Sequence, residues 1–247
     1  MNRSIGIASK KILIVGSSSF LGKNLVKSLS LNNSLICIDK KKKKNFFNKN
    51  VIYFQCDVNN SKKLKKIKEK IKKKNKFIDI IINCFVEQNF YTFEKQSYKN
   101  FNSSLKTNVG GIFLVTKLFY QLLARSNNPQ IINLGSIYGV LSGDPNIYPN
   151  NKVTSDVYAA SKGAIIQLTK YYAIHLSKYK IRVNCISPGG IFNYQNKEFI
   201  KRYIKKVPMK RMADVQEIVE GIKLLLSERC KYINGHNLII DGGFTSW

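Results

Sequence analysis

The chain has 247 residues and 44% hydrophobic content, enough to bury the core of one α/β domain. It carries 42 lysines and arginines against 14 aspartates and glutamates, and only six of the basic residues are arginine. The lysine runs at residues 40–44 and 62–76 lack the arginine forks and interleaved aromatic rings that read nucleic acid. We therefore expect no nucleic-acid partner, and an amphipathic helix with a solvated lysine face at the second run.

Two further classes are disfavoured by the sequence. No run of about 18 apolar residues occurs, and the first eleven residues are polar without a leader pattern, so we expect a cytoplasmic protein with no membrane partner. The cysteines are odd in number and have no paired spacing, which predicts buried free thiols and neither a disulfide framework nor a metal site. They are Cys37, Cys56, Cys84, Cys185 and Cys230.

Short β-branched runs alternate with helical patterns along the chain, as in a parallel sheet covered by helices. The predicted strands are Lys11–Val15, residues 35–39, Val51–Gln55, residues 79–82, Gln130–Leu134, residues 181–186 and Asn237–Ile240. The predicted helices span residues 21–31, 62–76, 98–125, 156–178 and 214–227. The pattern predicts an N-terminal tail at residues 1–10. It is followed by a single-domain, Rossmann-like, doubly wound parallel sheet over residues 11–247, with a substrate loop at about 190–212.

A possible phosphate-binding turn follows the first predicted strand. Two glycines frame it, with a serine where a middle glycine usually stands, and a helix begins within it. Glycine allows a tight turn, and the backbone N–H groups at a helix N-terminus attract a pyrophosphate, although an ordinary strand–helix turn has the same pattern. The candidate cofactor-binding residues here are Gly16, Ser18, Ser19, Phe20, Leu21 and Gly22.

Asp39 ends the second predicted strand, 23 residues after Gly16. A carboxylate at this place accepts hydrogen bonds from the ribose of a dinucleotide and repels a 2′-phosphate, which favours NAD over NADP. The adjacent Lys40 could attract that phosphate, so NADP stays possible. Asp39 could also be an ordinary turn residue.

Tyr158 and Lys162 stand four residues apart at the start of a predicted helix, so both side chains lie on one face. A free tyrosine has a pKa near 10, and a neighbouring ammonium lowers it towards the range useful for proton transfer. Ser136 follows the fifth predicted strand. Its hydroxyl could hydrogen-bond the substrate oxygen with which Tyr158 exchanges a proton. Asn108 lies beside Gly110 and Gly111 inside the long helix, which predicts a kink or a bound water there.

These motifs, in this order, resemble the short-chain dehydrogenase/reductase family from residue 11 to residue 244. Further matching segments are Asp57-Val58, Asn83, the run from Ile181 to Gly189, Ile233-Asn234-Gly235 and Asp241-Gly242-Gly243. The resemblance implies that Ser136, Tyr158 and Lys162 are catalytic and that Asn108 holds a water in a proton relay. It also implies that Asp57 and Val58 contact adenine, that Asn83 and Cys84 border the nicotinamide ribose, and that Pro188, Gly189, Ile191 and Asn193 lie against the nicotinamide.

The sequence departs from the family pattern in places that bear on the site. Ser19 replaces a glycine, and Phe85 stands where the family has a small alanine. Twenty-one residues separate Ser136 from Tyr158, more than common members carry. We expect this insertion, residues 138–155, to border the substrate through Asp144, Tyr148, Asn150, Asn151 and Lys152.

The segments around Ser136 and Pro188 are similar to a subgroup associated with flagellin modification and surface-sugar biosynthesis. We therefore expect an NAD-dependent oxidoreductase that interconverts a carbonyl and a secondary alcohol on a hydroxylated small molecule, a sugar or sugar nucleotide. One alternative is a 3-oxoacyl-carrier-protein-type ketoreductase, and another is a non-catalytic nucleotide-binding scaffold. By resemblance, the chain forms a homodimer or homotetramer through its two long helices, where Phe113, Leu118, Phe119, Tyr171, Tyr172 and Ile174 lie.

Overall fold

The computed structural model describes residues 7–42, 49–90, 92–149 and 153–247. Seven strands in these ranges form one sheet in the order β3-β2-β1-β4-β5-β6-β7, and every neighbouring pair is parallel. The strands are β1 (Lys11–Val15), β2 (Ser34–Asp39), β3 (Val51–Gln55), β4 (Ile80–Asn83), β5 (Gln130–Leu134), β6 (Arg182–Pro188) and β7 (Asn237–Ile240). This order confirms the predicted doubly wound fold, and its reversal between β1 and β4 opens a crevice for ligands at the carboxyl ends of the strands.

Helices cover both faces of the sheet. They are α1 (Phe20–Leu29), α2 (Ser61–Lys74), α3 (Tyr98–Leu105), α4 (Gly111–Leu123), α5 (Asp156–His175), α6 (Lys197–Lys206) and α7 (Val215–Leu226). One apolar cluster joins the sheet to α2, α4 and α5, and a second joins its other face to α1 and α7. The lysine-rich helix α2 buries Leu64, Ile67 and Ile71, so the predicted amphipathic helix is confirmed.

The long helix predicted over residues 98–125 is not continuous. α3 and α4 are separated by a π-helical turn, Lys106–Gly110, which contains Asn108. The expected irregularity is therefore present as one wide turn, a feature that often marks functional sites. Smaller differences concern the ends of elements, since β6 continues to Pro188 and α5 ends at His175.

The segment before β1 is partly anchored to the domain. Ile7 is buried with the apolar residues beneath α1 and α7, and its carbonyl accepts a hydrogen bond of 2.9 Å from the Asn33 amide. Residues 1–6 of the predicted tail lie outside the described residues, as do Lys43 and Lys44 of the first lysine run. Asn150, Asn151 and Lys152 of the insertion also lie outside them.

The cysteines agree with the prediction of free thiols. Cys37, Cys56, Cys84 and Cys185 are buried, and Cys230 is half-buried. Within the described ranges, no helix combines the length and the apolar character needed to cross a lipid bilayer.

The outer faces of α4 and α5 carry exposed apolar rings and chains. Phe113 is 51% exposed, Tyr171 54% and Ile174 72%. Phe119 and Tyr172 are buried in the core, so the prediction that they lie on this outer face is wrong, and Leu118 is partly buried. The face available for assembly is thus smaller than the sequence suggested.

Candidate active site

The turn after β1 depends on its two glycines. Gly16 has a φ of +87°, and a Cβ there would lie 2.4 Å from the backbone nitrogen of Phe85. A Cβ on Gly22 would lie 2.3 Å from the Gly16 carbonyl oxygen. Both positions therefore need glycine: a side chain on Gly16 would meet the segment after β4, and one on Gly22 would meet the turn that leads into α1.

Ser19 fits the position where a middle glycine was expected. Its backbone is extended, and its hydroxyl caps α1 by accepting a 3.0 Å hydrogen bond from the Gly22 N–H. The same hydroxyl donates to the Cys84 carbonyl over 3.2 Å. The N–H groups of Phe20 and Leu21 have no acceptor within their own helix, which suits this turn to an anion.

Asp39 closes the far end of this turn. Its carboxylate accepts 2.8 Å and 2.9 Å hydrogen bonds from the backbone N–H groups of Ser18 and Lys41. The side chain is only 8% exposed, yet it borders a cavity of about 340 Å³. This cavity is also lined by Gly16, Ser18, Ser19, Lys40, Lys41, Asp57 and Val58.

Phe85 borders the same cavity and is accommodated by a glycine on α4. A Cβ on Gly111 would lie 2.7 Å from the Phe85 ring. The Phe85 ring thus occupies the space that a side chain at residue 111 would need.

Ser136, Tyr158 and Lys162 meet at the carboxyl ends of β5 and β6. The Lys162 ammonium lies 5.5 Å from the centroid of the Tyr158 ring and donates a 2.7 Å hydrogen bond to the Leu134 carbonyl. Burial raises the pKa of the Tyr158 phenol, while a hydrogen bond from the Ser136 hydroxyl acts the other way. Lys162 is 1% exposed, and burial lowers its pKa to about 8.

Asn108 is held inside the π-helical turn by contacts on two sides. Its side-chain oxygen accepts a 2.7 Å hydrogen bond from the Glu87 N–H, and its amide donates to the Ser161 hydroxyl over 3.1 Å. Ser161 in turn donates to the Tyr158 carbonyl over 2.8 Å. Asn108 is therefore connected to the first turn of α5, on which Tyr158 lies.

Three of the residues assigned to the cofactor outside the glycine turn do not line either cavity, and their assignment stays a prediction. Asn83 is 1% exposed, and its amide donates to Asn133 inside the sheet. Cys84 lies beneath the glycine turn, with its thiol 3.2 Å from the Val15 carbonyl oxygen. Asn193 is exposed, and its N–H donates to Gln195. Neither Asn83 nor Asn193 is among the residues that line the two cavities.

A second cavity, of about 290 Å³, lies in front of Ser136 and Tyr158. Pro188, Gly189 and Ile191 are among the residues that line it. Seven other lining residues were not named as site residues from the sequence, although four of them lie in the predicted substrate loop at about 190–212. They are Gln88, Phe90, Tyr138, Gln195, Phe199, Tyr203 and Met212.

The insertion forms part of the wall of this second cavity. The hydroxyl groups of Tyr138 and Tyr148 lie 2.7 Å apart, and the Tyr148 ring packs 5.3 Å from that of Phe199 on α6. Asp144 forms a 3.0 Å ion pair with Lys206 on the same helix. The insertion thus packs against α6 in the predicted substrate loop. Tyr148 lines the cavity, and Asp144 forms its ion pair at the edge of this contact.

Comparison with known proteins identifies the family. A family model described as enoyl-(acyl carrier protein) reductase matches residues 38–245. The structure of a short-chain dehydrogenase from Leptospira borgpetersenii with bound NAD+ is 39% identical, with a TM-score of 0.90 over 97% of this chain and 94% of that one. The chain belongs to the short-chain dehydrogenase/reductase family, whose members oxidise alcohols or reduce carbonyl groups with NAD or NADP.

Two characterised relatives add detail. D-arabinitol 2-dehydrogenase (ribulose-forming) of Candida albicans is 33% identical over 181 residues, 70% of this chain, and the match spans 62% of that enzyme. The post-translational flagellin modification protein A of Campylobacter coli is 26% identical over 253 residues, covering 96% of this chain and 99% of that protein. The chain is thus an oxidoreductase of this family, and the non-catalytic scaffold is not supported.

Proposed function

We propose that the chain interconverts a carbonyl and a secondary alcohol on a hydroxylated, sugar-like substrate, with NAD as the preferred cofactor. The observation that carries this proposal is the convergence of Ser136, Tyr158 and Lys162 beside a cavity that opens next to the dinucleotide turn. The dehydrogenase that acts on D-arabinitol and the flagellin modification protein support the choice of a sugar.

The residues of the first cavity fit a dinucleotide. The start of α1 provides N–H groups for the pyrophosphate, and Asp39 provides acceptors for the adenosine ribose. Asp57 and Val58, which line this cavity, would contact the adenine, and Pro188 to Ile191, which line the second, would contact the nicotinamide. When bound, the nicotinamide supplies or accepts the hydride.

Tyr158 is the proposed acid and base. Ser136 and Tyr158 line the same cavity, and their hydroxyls would share the substrate oxygen, which orients the reacting group. The positive charge of Lys162 favours the phenolate, against the effect of burial on the pKa of Tyr158. Tyr158 then gives its proton to a carbonyl oxygen, or removes one from an alcohol. Asn108 would fix the first turn of α5 through Ser161. It would also hold the water at the end of the proton relay that begins at Tyr158.

The preference for NAD rests on Asp39. Its carboxylate is held at the cavity by two backbone N–H groups, so it is poised to accept from ribose hydroxyls and to repel a 2′-phosphate. Lys40 and Lys41 border the same cavity and act in the opposite direction, which keeps NADP as the second cofactor. The NAD+ bound to the Leptospira relative supports the first choice.

The test is a titration with NADH and NADPH followed by turnover. We expect NADH to bind more tightly than NADPH, and Asp39→Ala to reduce that difference. With a sugar substrate, Tyr158→Phe should lower kcat by about 100-fold to 10,000-fold while leaving NADH binding within about twofold. Failure of both nucleotides to bind, or activity that survives in Tyr158→Phe, would refute the proposal.

A 3-oxoacyl-carrier-protein-type reductase is the second candidate. The formal charge of +28 would attract an acidic carrier, and the matching family model is described by an acyl-carrier-protein activity. Turnover of 3-oxoacyl thioesters at rates well above those for sugars would favour it.

We also propose that the chain assembles as a homodimer or homotetramer through α4 and α5. Exposed Phe113, Tyr171 and Ile174 support this assembly, since rings and aliphatic chains at such positions lose contact with water on association.

A further inference from the structure

The cavity in front of Tyr158 differs in charge from the rest of the molecule. The chain has a formal charge of +28, and the dinucleotide cavity is lined by five charged residues, Asp39, Lys40, Lys41, Asp57 and Glu87. By contrast, the fifteen described residues that line the second cavity include no aspartate, glutamate, lysine or arginine. Placing a phosphate or carboxylate there without a cation would cost its hydration free energy with no ionic compensation.

Three basic side chains on α6 and in the segment that follows it are paired with carboxylates. Arg202 on α6 binds Glu198, and Lys206 forms a 3.0 Å ion pair with Asp144 of the insertion. Arg211 makes two hydrogen bonds to Glu217, at 2.6 Å and 2.7 Å. A phosphate that reached one of these three cations would compete with its carboxylate partner.

The polar groups that do face the cavity are neutral. Tyr138 and Tyr148 bring hydroxyls and Gln88 brings an amide, which together suit the hydroxyl groups of a polyol. The rings of Phe90, Tyr148 and Phe199 supply the apolar wall on which a sugar ring or carbon chain packs. At about 290 Å³, the cavity lies at the lower end of the range for small-molecule sites, about 300–1,000 Å³.

We infer that the substrate is an uncharged sugar or polyol of about monosaccharide size, and neither a sugar phosphate nor a sugar nucleotide. This inference rests on the proposed function and narrows its substrate class. The neutral lining of the described residues selects against the charged forms by the cost of desolvating them.

The experiment compares NAD-dependent oxidation of uncharged five- and six-carbon sugars and polyols with their monophosphates and with UDP-glucose. We expect kcat/KM for each uncharged compound to exceed that of its monophosphate by at least about tenfold. Equal or higher kcat/KM for the phosphates or for UDP-glucose would overturn the inference, while Tyr158-dependent turnover would leave the proposed function standing. If no compound in the set gives turnover that Tyr158→Phe abolishes, both the function and the inference fail.

A charge placed at the cavity provides the matched test. Phe90 lines the cavity and is 48% exposed, so Phe90→Lys puts an ammonium at its edge. We expect this variant to lower the KM of the sugar phosphates. The ratio of kcat/KM for uncharged sugars to that for their monophosphates should therefore fall about fivefold. Phe93→Lys is the control, because Phe93 is 79% exposed and is not among the lining residues. If the two variants changed this ratio equally, the neutral lining of the cavity would not determine the specificity.

Discussion

Asn108 holds the backbone of Glu87 with both ends of its side-chain amide. The Asn108 oxygen accepts from the Glu87 N–H over 2.7 Å, and the nitrogen donates to the Glu87 carbonyl over 3.0 Å. The Glu87 carboxylate reaches back to the same helix, where it accepts from Ser103 at 2.9 Å and from Thr107 at 2.8 Å. The segment after β4 and the π-helical turn are therefore locked together from both sides.

This lock makes Glu87 a positioning residue for Asn108. We expect Glu87→Ala to lower kcat about tenfold, because Ser103 on α3 and Thr107 in the π-helical turn both lose their carboxylate acceptor, and the backbone segment that holds Asn108 is no longer tied to them. Glu87→Gln keeps one acceptor oxygen and should recover most of that loss. Steady-state kinetics of both variants give the test, with Glu94→Ala as control, since Glu94 is exposed on the turn that follows. Unchanged kcat in Glu87→Ala would show that the lock has no part in catalysis.

The sequence predicted those features that follow from local pattern. The strands Lys11–Val15, Val51–Gln55, Gln130–Leu134 and Asn237–Ile240 were placed residue by residue, because buried parallel strands read as short apolar runs. Tyr158 and Lys162 were brought together by helical spacing alone.

What the sequence could not predict are contacts between distant segments. The Glu87 carboxylate bonds a helix that begins eleven residues later, and nothing in its neighbours indicates that partner. The pairing of Tyr148 with Tyr138 and Phe199 is of the same kind. Such contacts depend on how the insertion packs on α6, which no periodicity encodes.

Phe85 and Gly111 form a compensated pair, and this gives a second prediction. Gly111→Ala should destabilise the fold by about 1–3 kcal/mol, because its Cβ would lie 2.7 Å from the Phe85 ring. This loss runs against the helix propensity of alanine, which is better than that of glycine by about 1 kcal/mol. Urea unfolding of Gly111→Ala, Phe85→Ala and the double variant measures the coupling, and the double variant should regain part of the loss.

Gly110 is the matched control for this pair. The nearest atom to a Cβ at Gly110 is 4.0 Å away, so Gly110→Ala should leave the free energy of unfolding unchanged or raise it by about 0.5–1 kcal/mol. A similar loss in both alanine variants would mean that the cost at Gly111 comes from the backbone and not from Phe85.

The proposed assembly makes a third prediction. Ile174 is 72% exposed on α5, and a charge there would have to be desolvated in an interface between α4 and α5. We expect Ile174→Glu to shift the mass measured by light scattering at micromolar concentration towards the monomer. Leu31→Glu is the control, because Leu31 is 73% exposed and follows α1, away from this face. A monomeric wild-type chain would refute the assembly.

Lys162 should lower the stability of the protein at neutral pH. Its pKa is about 8 in the folded chain, against 10.5 for the free side chain, because burial disfavours the charged form. Below pH 8 both states hold the proton, and the folded state bears the full cost of burying the charge. Between pH 8 and 10.5 the unfolded chain binds more protons than the folded chain, so this contribution to stability rises with pH.

Lys162→Met should therefore be inactive and yet more stable at pH 7, by about 2 kcal/mol. This figure is the cost implied by the shifted pKa, roughly 3 kcal/mol, less about 1 kcal/mol for the lost hydrogen bond to the Leu134 carbonyl. Urea unfolding at pH 7 and pH 9.5 checks it, and the advantage of the variant should shrink at the higher pH. Lys170→Met, at an exposed position on the same helix, should show neither effect. A Lys162→Met variant less stable than wild type at pH 7 would mean that the bond to Leu134 outweighs the buried charge. Charged Lys162 would then not lower the free energy of unfolding of the folded protein.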